Sequence, residues 1–287
     1  MSRNTIKTAV LLASLGALFI IVGGVIGSTQ GLVIGLLIGL ALVGGSYWFS
    51  DTVAIKAARA VPVSETDMPQ YYAIVRDLTQ RADMPMPRLF VTPDAQPNAF
   101  ATGRNPDHAA VAVTRGILEI CTWDELRGVL AHEISHVGNR DILISSVAAS
   151  IAMAITFIAR MAAWGGLFFG GGGSRDEGDN IFALLAAFIL APLAAALLQM
   201  ALSRSREYEA DRAGARLIGD GEPLARALEK LEAGARRIPM AGVRPEMAPM
   251  YIVSPLAGVR VTAKKWFSDH PPTADRIARL RANEWNR

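Results

Sequence analysis

Four long apolar stretches dominate the pattern of hydrophobic and polar positions. The first two run from about Thr8 to Gly27 and from about Gly31 to Phe49, separated by Ser28-Thr29-Gln30 and preceded by Arg3 and Lys7. Each is long enough to span a bilayer. They predict a hairpin of two transmembrane helices, with Tyr47 and Trp48 as interfacial aromatics at its end. A cleaved signal peptide would have a shorter apolar region and no second span directly behind it. The third and fourth runs, from Ile142 to about Ala159 and from about Ile181 to Leu202, flank a Gly-rich, net acidic loop at 170–180. They predict a second membrane hairpin. Arg160, Pro192 and Gln199 interrupt them, so long core helices of a soluble domain are the competing reading.

The segments between and after these runs carry shorter periodicities. Ser64 to Ala82 has the spacing of an amphipathic helix, with Tyr72, Ile74, Val75 and Leu78 available for burial. Arg88–Thr92, Asn98–Gly103 and Ala109–Thr114 read as strands, the last two joined by a turn at Arg104–His108 and the first followed by a loop at Pro93–Pro97. Thr122 and Glu125 form a capping-box pattern, behind which Leu126, Val129, Leu130, Ile134 and Val137 recur at helical spacing. A helix is predicted from the end of the fourth run through Ile218, another over Glu222–Ile238, and a last one capped by Thr273. Pro239–Gly258, rich in Pro, Met and Gly, reads as loop. The resulting division is 1–50 as the first hairpin, 51–141 as the first part of a domain, 142–202 as the inserted second hairpin and 203–287 as the second part of that domain. The fold class is an α+β membrane protein, mostly helical with a small β-sheet and two transmembrane helical hairpins.

Composition agrees with membrane insertion: 51% of residues are hydrophobic and the mean hydropathy is +0.28. The net charge of +3 is spread along the chain, which argues against a nucleic-acid partner. Arg3, Lys7, Lys56, Arg59, Arg140, Arg204, Arg206 and Arg212 flank the apolar runs on one side, while Arg175 is the basic residue at a hairpin tip. The positive-inside rule then places both termini and the 123–138 helix in the cytoplasm. Cys121 is the single cysteine, so an intramolecular disulfide and a four-cysteine metal site are excluded. It reads as a buried thiol.

The candidate chemistry lies in His132-Glu133-Ile134-Ser135-His136. On a helix this spacing puts two imidazoles one turn apart on one face, a zinc site with Glu133 placed beside it as a base. Two core histidines satisfied by hydrogen bonds are the plainer reading. A catalytic zinc takes three protein ligands, and the segment after the fourth run offers the third. Glu207 and Asp211 lie four apart on one helical face, so Glu207 can bind the metal while Asp211 accepts the second N–H of His132. Glu209 faces the opposite way. The competing reading of this segment is a solvated, charged helix. For both halves of the site to meet, the insertion must cross the membrane an even number of times, as a hairpin does. If one strand of the small sheet is an open edge, a peptide could add to it in extended form. His270, on the loop His270-Pro271-Pro272, could steady an oxyanion or simply belong to a capping loop.

His132-Glu133-x-x-His136, Ser203-Arg204-x-x-Glu207-Tyr208-x-Ala210-Asp211, Asn98-Ala99-Phe100 and His270-Pro271-Pro272 together resemble the HtpX family. These are integral-membrane zinc metalloproteases related to the CaaX prenyl protease. The resemblance covers essentially the whole chain, both hairpins included. It implies a zincin-like protease domain holding one Zn2+ and acting as an endopeptidase at the cytoplasmic face of a bacterial-type inner membrane. The implied substrates are damaged or misfolded membrane proteins, cut in a stress-linked quality control beside other membrane proteases. It further implies Glu207 as third ligand, Asn98, Ala99 and Phe100 as substrate-binding, and His270 as an active-site residue. Three other functions fit parts of the pattern: a processing protease for lipidated or prenylated tails, a non-catalytic zinc scaffold, and a zinc transporter. The scaffold would need a fourth ligand, and the transporter would need its ligands inside the spans.

Overall fold

The computed structural model describes residues 3–148, 204–237, 252 and 271–286. Most of the expected second hairpin, most of the 239–258 loop, and His270 lie outside the described residues.

Helical backbone continues from Arg3 to Ala57 (α1), including Ser28-Thr29-Gln30, where the sequence pattern puts a break. This helix is not straight. Residues 23 apart on one straight helix are about 34 Å apart, yet a Cβ at Gly39 would lie 3.3 Å from Phe19 and 3.5 Å from the Gly16 carbonyl oxygen. A Cβ at Gly24 would meet the Leu32 side chain at 2.9 Å, so the chain reverses direction between Gly24 and Leu32. The second limb, Thr29–Ala57, is long and apolar enough to cross a membrane, with a mean hydropathy of 2.0 over its window. Leu32, Val33, Leu37 and Leu40 on it are exposed.

The sheet has the order β1-β2-β4-β3, with β1 at Val61–Pro62, β2 at Arg88–Thr92, β3 at Ala99–Gly103 and β4 at Ala109–Thr114. β2 and β4 run parallel, Arg88 opposite Ala110, and β3 runs antiparallel to β4, Ala101 opposite Val111. Alternate residues of a strand face opposite sides. Ala110 and Ala112 meet Ala54 of α1 and Ala58 just past its end, together with Phe90 and Phe100. Val111 and Val113 face the main core, where helix α2 (Pro69–Arg81) contributes Tyr71, Val75 and Leu78. Because both faces are covered, β4 is buried along its whole length. β1 is a two-residue strand without a sequence signal of its own.

Four helices complete the core: α3 (Arg115–Ile120), α4 (Trp123–Gly138), α5 (Arg204–Ile218) and α6 (Glu222–Arg237). α7 (Thr273–Arg281) packs on α5 and α6. α4 and α5 approach closely because α5 presents Ala210, Gly214 and Ala215 to it. A Cβ at Gly214 would stand 2.9 Å from the His132 backbone nitrogen. The same holds between α4 and α6, where a Cβ at Gly128 would meet the Leu224 backbone nitrogen at 2.4 Å.

Three local expectations shift. α2 starts at Pro69 instead of Ser64, because Ser64 turns the chain by bonding Asp67. Its buried face is then Tyr71, Val75 and Leu78, with Tyr72 and Ile74 only partly buried. Thr273 is the first residue of α7 and Pro272 precedes it, without a side-chain cap. Cys121 is half-buried at the end of α3, and burial pushes its thiol pKa up to about 12.

Candidate metal centre

α4 is fixed at its start by the capping box: Glu125 N–H donates to Thr122 Oγ1, and Thr122 N–H donates to Glu125 Oε2 at 2.7 Å. Leu126, Val129, Leu130, Ile134 and Val137 are all buried. That packing turns His132 and His136 toward α5. Their Nε2 atoms are 3.2 Å apart, and Glu207 lies 3.7 Å from His132 Nε2 and 3.6 Å from His136 Nε2. The two imidazole nitrogens and the Glu207 carboxylate form a triangle, with Oε2 facing His132 and Oε1 facing His136. A tetrahedral zinc with bonds of about 2.0–2.1 Å separates its ligands by about 3.3 Å, so the spacing suits such an ion. His132, His136 and Glu207 are the one group among the described residues whose donors converge in this way.

Each histidine has a carboxylate on its other ring nitrogen. His136 Nδ1 lies 3.1 Å from Asp141 Oδ2. His132 Nδ1 faces Asp211 Oδ1 at 2.9 Å, without good hydrogen-bond alignment, and has no other partner among the described residues. Such carboxylates fix the ring tautomer with Nε2 free to ligate. Burial opposes a charge on His136, but Asp141, Glu207 and Glu133 outweigh it and push its pKa up to about 9. The field of the site is that of a cation site.

Asp211 is itself held by Arg276 of α7, through Nε to Oδ2 at 2.8 Å and Nη2 to Oδ1 at 2.6 Å. Nη1 donates to the Ile252 carbonyl at 2.9 Å and lies 3.7 Å from Glu207 Oε2. Arg276 is 1% exposed. Burial alone would raise the Asp211 pKa, yet Arg276 and His132 hold it well below the usual carboxylate range. Burial would likewise lower that of Arg276, and the same carboxylates raise it.

Glu133 is buried beside the donors and accepts the Ala101 N–H of β3 at 2.9 Å. Burial raises its pKa; the two histidines and the Ala101 N–H counter this, while Glu207 adds to it, and the net shift is upward. A carboxyl moved toward neutrality suits a group that must take up a proton and give it back. Because Ala101 aims its N–H away from β4, the outer edge of β3 faces the site, and no described strand pairs with it.

Asn98, Ala99 and Phe100 are all buried. The Asn98 side chain accepts from the Ile252 N–H at 3.1 Å, and Phe100 packs under α1. Their side chains hold the edge strand in place. Glu209 is exposed beside Arg212, away from the donors. Asp141, Arg276 and the Ala101 N–H were not anticipated in the sequence. Asp141 reaches His136 because Arg140, at φ 58, turns the chain sharply past the helix end. Asp141→Ala is expected to weaken zinc binding about 10–100-fold with the fold retained, read by competition with a chelator. An unchanged affinity would remove Asp141 from the site.

A profile of Peptidase family M48 matches residues 66–284, the stretch that holds the sheet, both halves of the donor triangle and α7. The chain belongs to peptidase family M48. It is 51% identical over 278 residues to a protease HtpX homologue of Syntrophobacter fumaroxidans, covering 96% of this chain and 98% of that one. Identity to the protease HtpX homologue of Polynucleobacter necessarius is 50% over 279 residues, covering 96% and 95%. The fold is similar to that of Ste24p from S. mikatae, with a TM-score of 0.51 at 20% identity, covering 96% of this chain and 65% of that one. This M48 protein is thus a membrane-bound metalloprotease, and its family is zinc-dependent in general. Processing of lipidated tails and a purely scaffolding role are not favoured.

Proposed function

We propose that His132, His136 and Glu207 hold one Zn2+ and that Glu133 is the general base of a cytoplasm-facing endopeptidase acting on damaged or misfolded membrane proteins. The observation that carries this reading is the convergence of His132 Nε2, His136 Nε2 and the two oxygens of the Glu207 carboxylate, with contacts of 3.2–3.7 Å, next to the buried Glu133 carboxylate. When bound there, zinc supplies Lewis-acid polarisation of the scissile carbonyl and of water. Glu133 takes the proton of the attacking water and passes it to the leaving amine. Asp211 and Asp141 orient the histidines, and the outer edge of β3 receives the peptide in extended form. The resemblance of His270-Pro271-Pro272 to the family motif supports His270 as a donor to the oxyanion.

Both apolar pairs, 1–50 and 142–202, are assigned as transmembrane hairpins, with 51–141 and 203–287 forming one protease domain on the cytoplasmic side. The doubling back of α1 and its exposed leucines support the first assignment. The test uses the full chain in proteoliposomes with a multispan membrane protein, either native or destabilised by a core substitution. The destabilised form is expected to be cut at least tenfold faster. Equal rates would sink the quality-control reading.

A further inference from the structure

α1 also fixes how the sheet stands relative to its apolar limb. The exposed apolar face of that limb runs down to Trp48 and Phe49, 57% and 62% exposed. Three residues on from Trp48, Asp51 pairs with Arg88 at the start of β2. Past the helix end, Arg59 pairs with Asp94 beyond the end of β2. The last turns of α1 therefore run alongside β2 in the same direction, away from the apolar limb. β3, antiparallel to β4 and hence to β2, runs back toward it. At its end the Arg104 guanidinium stacks 4.6 Å over the Trp48 ring. A tryptophan at the end of an apolar helix sits in the headgroup layer, and an arginine stacked on it stands at the same level.

Two independent paths lead from that level to the site. Ala101, which binds Glu133, is three residues from Arg104, about 10 Å at 3.3–3.4 Å per strand residue. Ala54, which packs among Phe100, Ala110 and Ala112, is six residues below Trp48, about 9 Å of helix. We infer that the catalytic centre lies about 10 Å from the membrane surface, with β3 roughly along the membrane normal, so that its substrates are chain segments just leaving a membrane span. A segment emerging from the bilayer reaches such a site in a few extended residues and can lie along the β3 edge without turning. The inference rests on the reading of α1 as membrane-inserted and of β3 as the substrate edge.

The test reconstitutes the full chain in phosphatidylcholine–phosphatidylglycerol vesicles with single-span substrates. One cleavable sequence is placed 6, 12 or 24 residues after the span. The rate at 6 residues is expected within about threefold of that at 24. Cleavage at 24 but not at 6 or 12 would overturn the inference, as would cleavage of the soluble peptide, at equal concentration beside the same vesicles, as fast as that of the 6-residue substrate. A second readout needs no activity. In a Cys121→Ser background, a fluorophore on Asp107→Cys, in the exposed turn beside Arg104, is expected to be quenched by headgroup-nitroxide lipids. The same fluorophore on Glu119→Cys, beyond the far end of β4, should be quenched at least threefold less. Equal quenching would contradict the depth. Release of the whole chain by alkaline carbonate would instead refute the membrane reading itself.

Discussion

Glu133→Gln is expected to lower kcat for casein hydrolysis by about 10³-fold while zinc content stays near one per chain. The substitution is close to isosteric, and the amide oxygen can still accept the Ala101 N–H, so the tie between α4 and β3 survives. The donor triangle of His132, His136 and Glu207 is untouched. What the amide loses is the capacity to take a proton from water and return it to the leaving amine. The loss should therefore appear in kcat, with KM changed less than about threefold. Both proteins are stripped of metal in detergent, reloaded with zinc and assayed together. Activity within tenfold of wild type would remove Glu133 as the base. Loss of zinc together with activity would make it part of the metal cage, a role its hydrogen bond to β3 does not fit. Glu207→Ala gives the opposite signature, with zinc lost first and activity as a consequence.

The parts of the site legible in the sequence are those whose signals are local. The Thr122–Glu125 capping box and the spacing of Leu126, Val129, Leu130, Ile134 and Val137 place α4. That places His132, Glu133 and His136 on it. β4 is found at its full length because an unbroken apolar run bounded by turn residues is a local pattern. Glu207 and Asp211 are legible as a pair because both must sit on one face of one helix. Illegible are contacts that exist only once distant segments meet. Arg276 grips Asp211 across 65 residues of chain, and an arginine on a charged terminal helix looks like any solvated one until its burial is seen. The resemblance implies that Asn98 binds substrate, and the bond its side chain accepts from the Ile252 N–H, 154 residues away, is of the same non-local kind. The shift from Tyr72 to Tyr71 has the same origin. Two adjacent tyrosines differ by about 100° on a helix, and the sheet's position decides which is buried. Ser28-Thr29-Gln30 marks the reversal of α1 correctly, although the backbone stays helical through it, because polar residues signal a turn whatever its backbone conformation.

Arg276→Met is expected to destabilise the protein and weaken its zinc site together. Methionine removes both bonds to Asp211 and leaves a carboxylate buried without its counter-charge, a change that costs about 3–5 kcal/mol. The thermal midpoint should fall by on the order of 10 °C. A freed Asp211 no longer fixes the His132 ring, and Glu207 loses a cation 3.7 Å away, so zinc affinity should fall about 10–100-fold. Arg276→Lys keeps the charge but cannot make the two-pronged contact, and should lie between the two. Pairing the change with Asp211→Asn separates the causes. With no naked carboxylate left, the double variant should regain much of the lost midpoint, whereas zinc affinity should stay low because His132 faces an amide. If chelator competition instead shows wild-type affinity in Arg276→Met once it is folded at low temperature, Arg276 stabilises the fold alone. The geometry argues for both roles, since Arg276 touches Asp211, Glu207 and the Ile252 carbonyl at once. It thereby ties the final helix to the two acidic residues that face the histidines, so α7 and the metal centre should melt as one unit.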